Sequence, residues 1–281
     1  MRFTQVIMLV SFALIAGPCF GQWSGREEQL AAVEKTFGDP PGLTRLDPVS
    51  RVWADKETKR VVVDGYIALR AGQLEMLACP VGTKEHESVI AVFSKAKVIH
   101  AGLLAIGAKP GAPVKWEPQF SPPSGSEIQV FAIWKDAEGK KQSIDARKWV
   151  QELGTEDKNL SVNFVFAGSG FWQDPDTGKS EYLAESGDLI CVSNFTTAML
   201  DIPVESAQAN SGLLFVAFTE RIPEKFTPIR LVLQVVESKT AAAQPSQLTS
   251  NESEEAVKPT AEEKAKAEKE ATELQELLGK P

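Results

Sequence analysis

The sequence predicts a β-rich α+β domain: one mainly antiparallel, barrel-like sheet with one principal buried helix, followed by a low-complexity tail. Three observations lead there. Many short runs of β-branched and aromatic residues, separated by turn formers, recur between residues 46 and 237. One stretch alone, Lys95 to Ile106, combines helical length with an apolar surface around most of its circumference. From Ser238 onward the chain has no aromatic residue and no isoleucine, so residues 238–281 cannot bury enough to fold alone.

The chain has 281 residues and opens with "MRFTQVIMLVSFALIAGPCFGQW", a basic residue before a short apolar run and then small residues. That is the pattern of a secretory signal peptide over residues 1–21. A cut after Gly21 places Cys19 and Gly21 at the two small-residue positions. A lipid anchor on Cys19 is the weaker reading, because Pro18 precedes it where a small residue belongs. No later segment reaches the roughly 18 apolar residues of a membrane span, so the expectation is an exported protein, periplasmic or secreted. In such a compartment Cys79 and Cys191 are either bridged or two buried free thiols; spacing does not decide.

Residues 22–45 form a weakly structured N-terminal segment in which "REEQLAAVEKTF" reads as a short helix ended by "GDPPG". In the main domain, 46–237, "RVVVDGYIALR" and "QLEMLACPV" read as neighbouring antiparallel strands, followed by "ESVIAVF". The helix 95–106 has Ser94 as its cap and Gly107 as its left-handed stop. "EIQVFAIWKD" and "KQSIDA" flank the turn "AEGK" as a hairpin, and "DARKWVQEL" is a helical turn capped by Asp145 with Trp149 inward. "SVNFVFAGSGFWQ" and "SEYLAE" form a second hairpin about "DPDTGK"; "DLICVSNF", "LLFVAFTE" and "PIRLVLQVV" complete the strands. In the tail, Ala267, Ala271, Leu274 and Leu278 make a thin helical stripe, read as a solvated, partly helical segment or a docking helix.

The formal charge is −8 and no Lys/Arg cluster stands against it, which disfavours nucleic acid and anionic membranes as partners. The two histidines, His86 and His100, fall in one window. In an extended "TKEHES", Lys84, His86 and Ser88 would share one face and Glu85 and Glu87 the other. Three readings follow. A serine or cysteine nucleophile with His86 as base lacks a third group and the strained serine turn of the α/β-hydrolases. A metal held by Cys79, His86 and His100 with Glu85 or Glu87 has suitable donors but no standard spacing. A hydrogen-bonded polar network in which His86 is a keystone is the commoner use of such residues. His100 lies on an apolar helix face, where a neighbour from "EHES" would satisfy its ring. "DPDTGKSEYLAE" has acids at calcium-loop positions, yet its glycine is misplaced and strands flank it; "AGSG" opens no helix, so phosphate binding is unsupported.

"LEMLACPVGTKEHESVI", "IHAGLLAIGAKPG" and "VFAGSGFWQDPDTGKSEYLAESGDLICVSN" together resemble the YdjY domain family of exported bacterial proteins, over roughly residues 45 to 236. The resemblance implies an architecture and an address but no reaction, and it directs attention to Lys84, Glu85, His86, Glu87, Ser88 and His100. A ferredoxin-like label used for some relatives does not transfer, because the four clustered cysteines of an iron–sulfur site are absent from the sequence. The leading expectation is a non-catalytic binding or structural module for an unidentified protein or small ligand, with no cofactor. A metal-binding or redox module is the alternative and a hydrolase the weaker one.

Overall fold

A computed structural model of the chain describes residues 21–206 and 213–236; the expected signal peptide up to residue 20, with Cys19, and the tail 238–281 lie outside the described residues. Helix α1 (Gly21–Phe37) precedes β1 (Thr44–Arg45), β2 (Val52–Asp55), β3 (Arg60–Ile67), β4 (Met76–Pro80) and β5 (Ser88–Val92), then α2 (Ala96–Ala105). The chain continues through β6 (Glu127–Lys135), β7 (Lys141–Asp145), β8 (Val150–Glu152), β9 (Phe164–Phe166), β10 (Phe171–Gln173) and β11 (Ser180–Tyr182). It ends with β12 (Ile190–Cys191), β13 (Leu200–Asp201), β14 (Phe215–Ala217) and β15 (Pro228–Val235).

Eight of these strands close into a barrel in the order β3, β15, β6, β9, β13, β12, β4, β5 and back to β3. Alternation along each strand decides what is inside. Val61, Val63 and Ile67 of β3, Ile128, Val130 and Ala132 of β6, and Ile229, Leu231 and Leu233 of β15 share one interior cluster with Phe164, Phe166 and Leu200. Burying each such large aliphatic side chain contributes roughly 1.5–3 kcal/mol. Closure requires β3 and β5 to touch, and Gly65 makes that approach possible: a Cβ there would stand 2.1 Å from the Ala91 carbonyl oxygen.

On the outer face of β3, Asp64 is fully buried between two arginines, Arg51 Nη2 at 2.8 Å and Arg230 Nε at 2.6 Å. Both guanidinium groups also donate to the Gly38 carbonyl at the end of α1, at 2.6 and 2.8 Å. The carbonyls left open at a helix C-terminus favour cations, so this cluster fastens α1 to the barrel wall.

Both hairpins form as expected, β6–β7 and β10–β11, and Asp145 accepts from Arg147 N at 3.0 Å to cap a 3₁₀ turn that buries Trp149. Three expectations are corrected. β3 and β4 are not neighbours, because β5 lies between them, antiparallel to β3 and parallel to β4. Ser94 does not cap α2; its hydroxyl turns to the Lys95 carbonyl, and the Glu185 carboxylate accepts from Ala96 N at 3.2 Å and Lys97 N at 3.1 Å instead. Finally, α2 is buried along one face, Ala96, Ile99, Gly102 and Leu103, with Leu104 exposed on the other. Gly107 does stop it, at φ +90°.

Candidate functional site

Two unusually tight returns create the polar surface of this barrel. Parallel neighbours ordinarily need a crossover of a dozen or more residues. Here β4 reaches β5 through residues 81–87 and β12 reaches β13 through residues 192–199. Because Ser88 pairs beside Met76, the first return must travel back the length of β4, about 13 Å at 3.3 Å per residue. It does so as consecutive turns, with Thr83 N donating to the Pro80 carbonyl and Glu87 N to the Lys84 carbonyl. The expected alternation of "TKEHES" therefore does not occur.

Lys84 turns inward, to where the two returns meet. Its ammonium stands 3.0 Å from Asp188, 3.6 Å from Glu87, 3.7 Å from Glu75 and 4.3 Å above the Phe195 ring. Burial alone would lower the Lys84 pKa, but the facing carboxylates, Asp188 first, outweigh it and raise it. Glu75 is raised, by burial and then by Glu87 beside it. Asp188 also accepts from Ser186 at 3.2 Å and from the Thr197 hydroxyl. Deeper on this face Asp201 is fully buried; its Oδ1 accepts from Asn194 Nδ2 at 3.0 Å and Ile202 N at 2.8 Å, while Oδ2 has no hydrogen-bond partner among the described residues. Burial pushes the Asp201 carboxyl up to about 8.

Glu85 and His86 turn the other way. Glu85 accepts from Gly82 N at 2.6 Å and from the Tyr66 hydroxyl at 3.0 Å. The His86 side chain is 77% exposed, with Glu87 at 3.7 Å, so the expected keystone role of this imidazole is overturned. Both line a cleft of about 560 Å³ whose far wall is α1, through Arg26, Glu28 and Gln29.

The other singled-out residues disperse. Ser88 is buried and donates to the Ile90 carbonyl at 2.9 Å, so its hydroxyl does not meet an imidazole. Cys79 and Cys191 are free and buried. Cys191 pairs opposite Met76, three residues or about 10 Å along the strand from Cys79, beyond the Cα separation a disulfide spans. Burial pushes the Cys79 thiol up to about 11, against hydrogen bonds from Thr83 and Ser88, and burial raises Cys191 well above its ordinary value. His100 is not answered by "EHES": its Nδ1 pairs with the Tyr182 hydroxyl at 2.8 Å and its ring packs edge-on to Phe166 and Tyr182. Burial lowers its pKa. Cys79, His86 and His100 do not converge, and no group of three or more His, Cys, Asp and Glu is placed to hold a metal among the described residues.

Sequence reasoning missed Glu75, Asp188, Asp201, Tyr182, Glu185 and the aromatic pair Phe171–Trp172. The signals were present: acids inside the apolar runs "GDLIC" and "AMLDIPV", and two adjacent aromatics in the period-2 strand of a hairpin, which cannot both face the barrel. A family model described as the YdjY domain matches residues 52–234. No curated protein and no solved structure matches the chain.

Proposed function

The chain belongs to the YdjY domain family, and we propose that it is an exported, non-catalytic binding module that takes a small polar ligand in the cleft between residues 82–86 and α1. The observation that carries this reading is the division of the box. Lys84, Glu87 and Ser88 are consumed by partners within the fold, whereas His86 and the Arg26 side chain face the same open cleft. Charged and hydrogen-bonding groups converging in a cleft of this size suit a small molecule. Nucleophilic chemistry finds less support, because the Cys79 thiol is buried with a pKa near 11 and the thiolate is the reactive form.

The test is ligand-observed NMR of the full chain with a library of small polar metabolites, repeated with His86→Ala and Arg26→Ala. Compounds that bind the wild type and are lost from both variants, at unchanged melting temperature, support the reading. Binding that survives both substitutions, or an unfolded His86→Ala protein, overturns it.

A further inference from the structure

A second trough lies away from that cleft, where the β10–β11 hairpin meets the N-terminus of α2. It encloses about 610 Å³ and is lined by Phe171, Trp172, Tyr182, Lys95, Lys97 and Ser180 among others. Phe171 is 70% exposed and Trp172 48% exposed; adjacent aromatics held in water on a monomer surface mark an interaction site more often than a packing accident. The platform is held firmly. Phe171 packs on Tyr182 with ring centroids 5.2 Å apart, Tyr182 is tied to His100 at 2.8 Å, and Glu185 joins the same segment to the first amides of α2.

The charges of the trough do not cancel. Three lysines face two carboxylates: Lys179 pairs with Glu181 at 3.1 Å, and Glu185, its charge intact, accepts from Ala96 N and Lys97 N, so the lining keeps one net positive charge. Lys95 and Lys97 are exposed, and neither is in an ion pair among the described residues, where the hairpin's own pair is Lys179 with Glu181. We propose that this trough binds an anionic saccharide, a chain of uronic acid units, with pyranose faces on Phe171 and Trp172 and sugar carboxylates at Lys95 and Lys97. The negative face of an aromatic ring attracts the weakly positive C–H face of a pyranose, and the ammonium groups supply the complementary charge. An acidic peptide fits less well: its apolar anchors need enclosed pockets, whereas these rings stand at the open margin of a trough. The proposal is independent of the cleft at residues 82–86.

The test is isothermal titration of the full chain with trisaccharides of galacturonic, glucuronic, mannuronic and guluronic acid, a neutral galactose trisaccharide and triglutamate. At least one uronate should bind, tenfold or more tighter than the neutral sugar and triglutamate. Trp172→Ala and Lys97→Glu should each weaken it at least tenfold without changing the melting temperature, as expected of exposed side chains. Absence of binding by every uronate, equal binding of the neutral sugar, tighter binding of triglutamate, or affinity indifferent to Trp172→Ala would each overturn the assignment.

Discussion

Asp201→Asn should flatten the dependence of stability on pH. Asp201 has an ordinary value of 3.8 and burial holds it near 8 in the fold, so between those values the native state keeps a proton that the unfolded chain has released. A raised pKa means stability that is complete below the unfolded value and is lost as pH rises through the folded one. From pH 5 to pH 8 the loss from this one group is about 3 to 4 kcal/mol, taking 1.36 kcal/mol per unit and half-ionisation at the upper limit. Asparagine retains an Oδ1 acceptor for Asn194 Nδ2 and Ile202 N and does not titrate. Its new amide would stand where Oδ2 has no hydrogen-bond partner among the described residues, much as the protonated acid does. Urea unfolding at pH 4, 6, 8 and 9 should show variant and wild type nearly equal at pH 4, with the variant about 4–5 kcal/mol more stable at pH 8. Parallel pH profiles, or a variant less stable at pH 8, would refute the assignment of a protonated Asp201.

Removing the cation at the meeting of the two returns should be destabilising: Lys84→Ala leaves Asp188, Glu87 and Glu75 facing one another, and denaturant melts should show a loss of about 2 kcal/mol at pH 7. Glu185→Ala should free the first amides of α2 and reduce stability by about 1 kcal/mol, read as faster hydrogen exchange from Ala96 and Lys97 with little change in the barrel strands. Both buried thiols should resist iodoacetamide at pH 8 in the native protein and react promptly in denaturant; rapid native labelling of either would contradict its burial.

Local chemistry was readable in the sequence and long-range pairing was not. The β6–β7 and β10–β11 hairpins, the Asp145 cap over Trp149 and the Gly107 stop each depend on a few adjacent residues. The order of strands is not legible where it depends on the tight returns: the short link between "RVVVDGYIALR" and "QLEMLACPV" favours an antiparallel pair, yet β5 separates them, set parallel to β4 by a return shorter than such pairs ordinarily need. The same return explains the misreading of the box, whose turns send Lys84 inward and His86 outward. The cap of α2 and the partner of His100 escaped because Glu185 lies 89 positions from Ala96, and Tyr182 lies 82 positions from His100.

Why both candidate sites lie outside the barrel follows from its filling. Eight strands enclose an interior that side chains can fill or that can hold one small ligand, and here Phe164, Phe166, Ile128, Leu231 and their neighbours occupy it, with Ile99 and Leu103 of α2 added to the same cluster. Both candidate sites accordingly lie where something is attached to the wall. The cleft at residues 82–86 exists because the Arg51–Asp64–Arg230 cluster holds α1 against β3. The aromatic trough exists because His100 and the amides of α2 hold Tyr182 and Glu185. The buried arginines, His100 and Glu185 thus act at one remove: each fixes a wall, and the exposed side chains on that wall, His86 and Arg26 or Trp172 and Lys97, are the ones the two proposals assign to the contact.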